Sequence, residues 1–332
     1  MSATVLTGAT RDEFLREADA YRGELIAHCY QLVGSVHEAE DLVQETLLRA
    51  WRGRDSFEGR SSLRTWLYRI ATNVCLTALR HRSRRVLPSG LGAPADDPDT
   101  AMALAPAGTR WLQPFPDGAY GSGDPADVVA GRTVVRLALL AALQYLPARQ
   151  RAVFILREVL EFSAAEIAGI LRMSVPAVKS SLQRARARVE EIAPTADKLT
   201  EPDSPEARRV LDRYMAAFEN ADAGALSDLL RDDAFLQSAP MTTWFSGKAS
   251  CVPHLIRHTL ARAVPGTYRM YATVANGQPT AVAYLREDAG RPYTPFGVAV
   301  LDTDGTHITG ISVFADPALV ALFGFPDEPP VP

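Results

Sequence analysis

In this sequence of 332 residues, the clearest signal of a functional site is a cluster of basic and amide side chains at the end of the segment Ser163–Arg188. Lys and Arg side chains donate hydrogen bonds to phosphates and guanine edges, and Gln can pair with adenine. No acidic residue occurs between positions 168 and 189. The surface positions of this stretch are Lys179, Gln183, Arg184, Arg186 and Arg188. These residue types favour contact with nucleic acid, and an ordinary solvated helix is the simpler alternative.

Two short helices are predicted to position these side chains. Ser163 and Glu166 have the spacing of a capping box, which begins a helix by satisfying its free backbone donors. The residues 172–174 break the pattern, after which Ser174 is a good N-cap and Pro176 suits a first helical turn. The sequence therefore predicts a helix-turn-helix whose second helix is cationic, a geometry that fits a DNA major groove.

A second basic cluster lies earlier in the chain, where seven arginines and no acidic residue occur from Arg60 to Arg85. Trp66 and Tyr68 are interleaved with them. Arginine combined with aromatic residues is typical of surfaces that hold phosphates and stack the bases of unpaired strands. The net charge of the whole chain is −4, so the basic character is local and the protein is no general polycation.

Composition and periodicity divide the chain into five segments. Residues 10–85 and 132–193 are predicted to be helical, and 86–131, rich in Pro, Gly, Ala and Asp, is predicted to be a flexible linker. A shorter linker, 194–205, leads to a separate domain over 206–325. Three scattered cysteines, no signal pattern and no membrane-length apolar run favour a soluble intracellular protein that neither carries a cofactor or metal nor contacts a membrane.

The last domain reads as helices followed by strands. Period-two or β-branched runs cover 267–275, 280–287, 294–303 and 306–314, with turn signals between them. This order predicts an α+β domain with a curved antiparallel sheet. Candidate acid–base residues are Asp233, His254, His258 and His307, although no clean dyad spacing is evident. Aromatic residues such as Phe245 and Phe296 can line a cavity or fill the core.

The order of these features resembles the extracytoplasmic-function (ECF) group of bacterial sigma factors. The motifs that carry the resemblance are AEDLVQETLLRAW (39–51), SSLRTWLYRIATNVCLTALRHRSRR (61–85), LPARQRAVFILREVLEFSAAEIAGIL (146–171) and MSVPAVKSSLQRARARV (173–189). The linker motif RWLQPFPDG (110–118) and the last domain are similar to subgroups with a SnoaL-like extension. The resemblance implies two all-α sigma domains, region 2 and a helix-turn-helix region 4, followed by a cone-shaped α+β domain related to nuclear transport factor two.

The resemblance also implies partners and residue roles. The partners would be the RNA polymerase core, at its β′ clamp and β flap, and promoter DNA, single-stranded at the −10 element and double-stranded at the −35 element. A small-molecule ligand and an anti-sigma factor are further possible partners. The implied polymerase-binding residues are Asp41, Leu42, Gln44 and Glu45. The implied −10 residues are Phe57, Arg60, Ser61, Ser62, Trp66, Arg69, Asn73 and Arg80. The implied −35 residues are Pro176, Lys179, Ser180, Gln183, Arg184 and Arg186.

We therefore expect a transcription initiation factor that performs no covalent chemistry, with the last domain as a built-in regulator. One alternative is a SnoaL-like cyclase or hydrolase fused to a DNA-binding module. Another is a helix-turn-helix repressor that never meets polymerase. The acidic helix around residues 39–45 argues against the repressor, because a repressor has no use for a polymerase-docking face.

Overall fold

The computed structural model describes residues 11–57, 59, 61–118, 120, 134–192, 204–288 and 290–330. The chain forms two compact units. The helical unit comprises the described parts of 1–85 and 120–194, and the sheet unit those of 86–119 and 195–332. Within the described residues, no helix combines the length and apolar character needed to cross a membrane.

The first half of the helical unit contains four helices: α1 (Arg11–Asp19), α2 (Arg22–Val33), α3 (Val36–Gly53) and α4 (Leu63–Ala78). Gly34 ends α2 with a φ of 73°, a left-handed conformation that glycine adopts without strain. Ser35 and Ser62 cap α3 and α4. The apolar faces of α2, α3 and α4 share one core, in which Leu25, Leu32 and Leu67 are fully buried.

The second half contains α5 (Leu137–Leu143), α6 (Ala148–Phe154), α7 (Ala164–Leu171) and α8 (Val175–Ile192). A π-helical turn, Ile155–Val159, extends α6. The predicted capping box at the start of α7 is confirmed, since Ser163 N donates to Glu166 Oε2 over 2.8 Å and Glu166 N to Ser163 Oγ over 3.2 Å. Arg172, in a left-handed conformation, ends α7, and Ser174 Oγ accepts from Ala177 N at the start of α8. The predicted helix-turn-helix is present.

The sheet unit combines four helices with one six-stranded sheet. The helices are α9 (Pro205–Glu219), α10 (Ala223–Leu229), α11 (Lys248–His254), continued by a π-helical turn over Leu255–Leu260, and α12 (Pro317–Leu322). The strands are β1 (Leu230–Ala239), β2 (Trp244–Ser246), β3 (Tyr268–Ala275), β4 (Gln278–Leu285), β5 (Thr294–Thr303) and β6 (Ile308–Phe314). Their order across the sheet is β2-β1-β6-β5-β4-β3.

This sheet departs from the predicted antiparallel sheet in two respects: it contains the unpredicted strands β1 and β2, and one of its pairs is parallel. β1 pairs with β6 in parallel, with Leu236 opposite Ile311, whereas the remaining neighbours are antiparallel. β1 was not predicted because its first half carries Arg231, Asp232 and Asp233, which are exposed and mask the apolar pattern of its second half. The predicted α+β class is correct.

The segment 86–118, predicted as part of a flexible linker, instead packs within the sheet unit. Val86 and Trp111 form a β-bridge, and Pro116 bridges to Ala275. Leu112 and Phe115 are buried, and Phe115 N donates to Asn276 Oδ1 over 2.8 Å. The prediction failed because composition averages over the segment, whereas a few well-placed apolar side chains and single backbone hydrogen bonds suffice to hold it. The remaining predicted linker residues, 119 and 121–131, lie outside the described part, as do 194–203.

Candidate nucleic-acid and polymerase interfaces

The recognition helix α8 separates a buried face from a cationic one. Val178, Ser181 and Ala185 are buried against the rest of the helical unit. At 3.6 residues per turn the implied −35 residues fall within an arc of about 160° on the opposite side. All of them are exposed: Pro176, Lys179, Ser180, Gln183, Arg184 and Arg186. This face can therefore reach a DNA groove without any rearrangement of the helix core.

Two of these cations have partners on the protein surface. Arg184 Nη1 donates to Ser180 Oγ over 3.3 Å, and Arg186 Nη2 forms an ion pair with Glu158 Oε1 at 2.8 Å. Exposed pairs of this kind contribute about 0–1 kcal/mol, so both side chains can exchange these partners for phosphates at little cost.

On the predicted −10 surface of α4, more side chains make contacts within the protein than on the cationic face of α8. Trp66 is only 4% exposed, and its ring packs on Phe57 with 5.0 Å between centroids. Phe57 is likewise buried, 8% exposed, immediately before the loop that leads into α4. In this conformation the two rings pack on each other, and the implied contact of Trp66 and Phe57 with DNA stays a prediction.

Other implied −10 residues also make internal contacts. Ser62 Oγ caps α4 by accepting from Thr65 N over 3.1 Å. Asn73 Nδ2 donates to Arg69 O over 2.6 Å and to Ile170 O, at the end of α7, over 3.4 Å. Ser61, Ser62, Arg69, Asn73 and Arg80 are nevertheless exposed. Arg60 lies outside the described residues.

The rest of the basic stretch is largely structural. Arg82 and Arg85 pair with Glu38 Oε1 at 3.0 and 2.9 Å, and Arg84 stacks over Tyr145 at 4.2 Å. Arg64 pairs with Glu24 at 2.7 Å. The clustering of arginines in the sequence therefore overstates the cationic surface that remains for DNA.

The implied polymerase-binding residues lie on one side of α3. Asp41 and Gln44 are exposed, and Leu42 and Glu45 are half-buried. Glu45 Oε1 accepts from Arg49 Nε over 2.6 Å. The structure adds Leu48, which is 43% exposed and follows Asp41 by seven positions, so that it shares the face of Asp41, Gln44 and Glu45. Sequence reasoning missed Leu48, although an apolar residue four positions after Gln44 on a polar face was a usable signal.

A buried cation was also missed. Arg151 of α6 donates from Nη1 to Leu32 O and to Gln144 Oε1, the latter over 2.8 Å, and from Nη2 to Gln144 O over 3.0 Å. Burial lowers the pKa of Arg151 to about 10, so the guanidinium is charged at neutral pH. It ties α6 to the carboxyl-terminal end of α2, whose carbonyl groups attract a cation.

The sheet unit contains a cavity of about 190 Å³, lined by residues of its helices and of its sheet. Phe245, Phe296, His254 and His258 are among its lining residues. Of the other acid–base candidates, Asp233 pairs with Arg231, and His307 lies in the turn before β6. The four candidates therefore do not converge on one site. Among the described residues, no cluster of His, Cys, Asp and Glu could hold a metal ion.

Comparison with known proteins agrees with this architecture. The Sigma-70 region 2 family model matches residues 18–85, and the Sigma-70 region 4 family model matches residues 136–189. Two sigma regions in this order define a sigma factor of the sigma-70 type. The ECF RNA polymerase sigma factor SigG of Mycobacterium tuberculosis is 46% identical over 319 residues, covering 96% of this chain and 85% of that protein. The chain therefore belongs to the ECF RNA polymerase sigma factor family.

Two further relatives define the extent of the similarity. SigW of Bacillus subtilis is 32% identical over 176 residues, which cover 53% of this chain and 86% of SigW. The crystal structure of SigJ from Mycobacterium tuberculosis superimposes with a TM-score of 0.60 at 22% identity, covering 92% of this chain and 98% of SigJ. The fold of two helical sigma domains followed by an α+β domain is thus established. As a sigma factor, the protein binds RNA polymerase and promoter DNA to initiate transcription.

Proposed function

We propose that α8 reads the −35 element as duplex DNA in the major groove, through Lys179, Ser180, Gln183, Arg184 and Arg186, with Pro176 at its entry. The supporting observation is that all six residues are exposed on one arc opposite the buried face of the helix. Gln183 is suited to adenine and the cations to guanine or phosphate.

The −10 element is assigned to a smaller set of residues than the sequence implies. Ser61, Arg69 and Arg80 would contact the unpaired strand directly, because their side chains are exposed. Ser62 and Trp66 would act indirectly, by beginning α4 and by supporting Phe57. Asn73 is exposed as well and would contact the strand through its side-chain amide, whose Nδ2 also donates to Ile170 O at the end of α7.

Docking on the polymerase β′ clamp is assigned to Asp41, Leu42, Gln44 and Glu45, with Leu48 as an apolar addition. An exposed leucine among acidic and amide side chains is typical of a protein interface, where apolar contact supplies affinity and charge supplies orientation. The helix-turn-helix domain would contact the β flap. The protein would carry out no covalent chemistry, and the sheet unit would regulate the two sigma domains.

Run-off transcription with core polymerase tests the whole proposal. We expect template-specific initiation from the wild-type chain, and loss of both core binding and initiation from the double charge reversal Asp41→Arg/Glu45→Arg. Glu17→Arg, an exposed reversal on α1, is the matched control and should retain both. Unchanged core binding in the double variant would overturn the assigned docking face.

A further inference from the structure

The cavity of the sheet unit has a wall that belongs to the segment between the two sigma regions. Residues 95–105, here called the strap, run along β2 and the loop before it. Ala95 N donates to Trp244 O over 2.8 Å, Ala103 N to Thr243 Oγ1 over 3.1 Å, and Ala105 N to Pro240 O over 3.1 Å. Met102 of the strap is one of the residues that line the cavity.

The other side of the strap is fixed to α11 and the turn that follows it. His254 Nδ1 lies 3.0 Å from Pro98 O, Ser250 Oγ donates to Asp96 O over 3.2 Å, and Arg257 forms an ion pair with Asp99. His254 also lines the cavity. The same residue therefore contacts both the cavity and the strap.

The chemistry of the lining restricts what the cavity can hold. None of its lining residues among the described ones is Asp, Glu, Lys or Arg, and most are apolar, including Phe218, Phe245 and Met270. A charged ligand would have no counterion there, whereas burial of an apolar one is favourable. A cavity of 190 Å³ exceeds by roughly a quarter the engineered cavity of about 150 Å³ that takes up benzene. One small aromatic molecule, mono- or bicyclic, therefore fits.

Polar residues such as Tyr214, Tyr268 and His258 also line the cavity, and His254 is a polar lining residue that bonds the strap as well. A carbonyl oxygen only accepts hydrogen bonds, so Nδ1 of His254 carries the proton that bonds Pro98 O. Burial lowers the pKa of His254, which keeps the ring neutral near pH 7. Its Nε2 is then a hydrogen-bond acceptor. Gln237, another polar lining residue, is already bonded to Ser312 Oγ over 2.8 Å and accepts from Ser89 N over 3.1 Å.

We propose that this cavity binds a small neutral aromatic molecule with one hydrogen-bond donor, and that binding holds the strap in place. Met102 and the strap form part of the wall, so a bound ligand contacts them only while the strap is in place. By mass action, whatever binds the closed form alone stabilises it. This inference deepens the regulatory role proposed above for the sheet unit, because the strap is part of the chain that joins the two sigma regions.

Indole serves as the probe, and indene, which has nearly the same shape and no N–H, as its control. Calorimetry on the full chain should show that indole binds about 5-fold more tightly than indene, the difference expected for one neutral hydrogen bond. Ala283→Leu fills the cavity and should abolish binding, whereas Ala272→Leu adds the same volume at an exposed position of β3 and should not. No binding of indole up to its solubility limit, or equal losses in the two variants, would overturn the site.

Hydrogen exchange tests the strap separately. At a free indole concentration of nine times Kd, exchange of the amides of Ala95, Ala103 and Ala105 should slow about 10-fold. Indole binding with unchanged exchange at these amides would overturn the role of the strap. Neither measurement involves polymerase, so a failure here is distinguishable from a failure of the proposed transcription function.

Discussion

The helices α4 and α8 look alike in sequence and differ in what the fold leaves exposed. Both carry basic residues at helical spacing, and both were expected to contact DNA. On α8 every one of the six expected residues is exposed. On the surface expected for α4, Trp66 and Phe57 are packed together, Ser62 is a cap, and Asn73 donates to two carbonyl groups.

This difference shows that residue type alone does not reveal which side chains the fold leaves exposed for contact with DNA. The exposed residues of α8 lie opposite its narrow buried face of Val178, Ser181 and Ala185, so the fold makes little use of them. An aromatic residue such as Trp66, by contrast, is suited both to packing in the core and to stacking on a base. Its presence among arginines therefore does not distinguish the two roles.

The largest expected effect comes from Trp66→Ala. Because the ring is buried against Phe57, we expect the free energy of unfolding to fall by about 3–5 kcal/mol in urea denaturation. Trp66→Phe should recover much of this loss, since it restores most of the packing. If Trp66→Ala instead weakened binding to a −10 single strand while the free energy of unfolding stayed unchanged, Trp66 would be a DNA-contacting residue, as proposed for the exposed residues of α8.

The second largest effect is expected from Arg184→Ala, which should lower the affinity for DNA without changing stability. Arg184→Ala should weaken binding to a −35 duplex about 10-fold, within the range of about 1–3 kcal/mol for such a contact. Its unfolding free energy should change by less than about 0.5 kcal/mol, because the side chain is exposed. Fluorescence anisotropy at several salt concentrations measures the affinity. Arg208→Ala removes one exposed cation from α9 and is the charge-matched control; an equal loss there would show that only net charge matters.

The helix-turn-helix could be predicted from the sequence because its signals are local. The Ser163–Glu166 box, the break at Arg172 and the cap at Ser174 act within a few residues of one another, and each is present. The helix α3 itself was predicted from similarly local signals, whereas the polymerase-binding role of its residues stays a proposal. Leu48 was missed only because an isolated leucine on a polar face attracts no attention in a helical pattern.

What could not be predicted depends on distant partners. The burial of Trp66 requires Phe57 to fold back over it, and the buried Arg151 requires the end of α2, over one hundred positions earlier. The strap was taken for a flexible linker because its hydrogen bonds go to residues 240–244, which adjacent sequence does not reveal. β1 was missed because its exposed charges, Arg231 to Asp233, conceal the strand that joins β2 to β6.

A third prediction concerns the buried histidine against which α4 packs. His28 lies buried beneath it, with Nε2 2.9 Å from Thr72 Oγ1, and Thr72 Oγ1 in turn donates to Tyr68 O. Burial, followed by the nearby Arg64 charge, lowers the pKa of His28 to about 3. In the unfolded chain His28 becomes protonated near pH 6.5, whereas in the folded chain it stays neutral until about pH 3. The free energy of unfolding therefore falls as the pH drops from about 6.5 toward 3.

Between pH 7.5 and 5.5 this residue alone should lower the free energy of unfolding by about 1 kcal/mol. Urea denaturation of the wild type and of His28→Gln at the two pH values measures the difference, which the variant should lack. If the free energy of unfolding had the same pH dependence in the wild type and in His28→Gln, the buried neutral imidazole of His28 would not contribute to the stability of α4.

The smallest expected effect concerns the ion pair between Arg186 of α8 and Glu158. We expect this contact to be dispensable, in contrast to the packing of Trp66 on α4. Glu158→Gln removes the charge that Arg186 pairs with at 2.8 Å. Because both groups are exposed, stability should change by less than about 1 kcal/mol, while affinity for the −35 duplex should rise about 2-fold as Arg186 becomes free for phosphate. Glu191→Gln, which releases Arg188 in the same way, is the control for a general gain in positive charge. A fall in affinity in Glu158→Gln alone would mean that the ion pair positions Arg186 for DNA, so that α8, like α4, depends on internal contacts for its function.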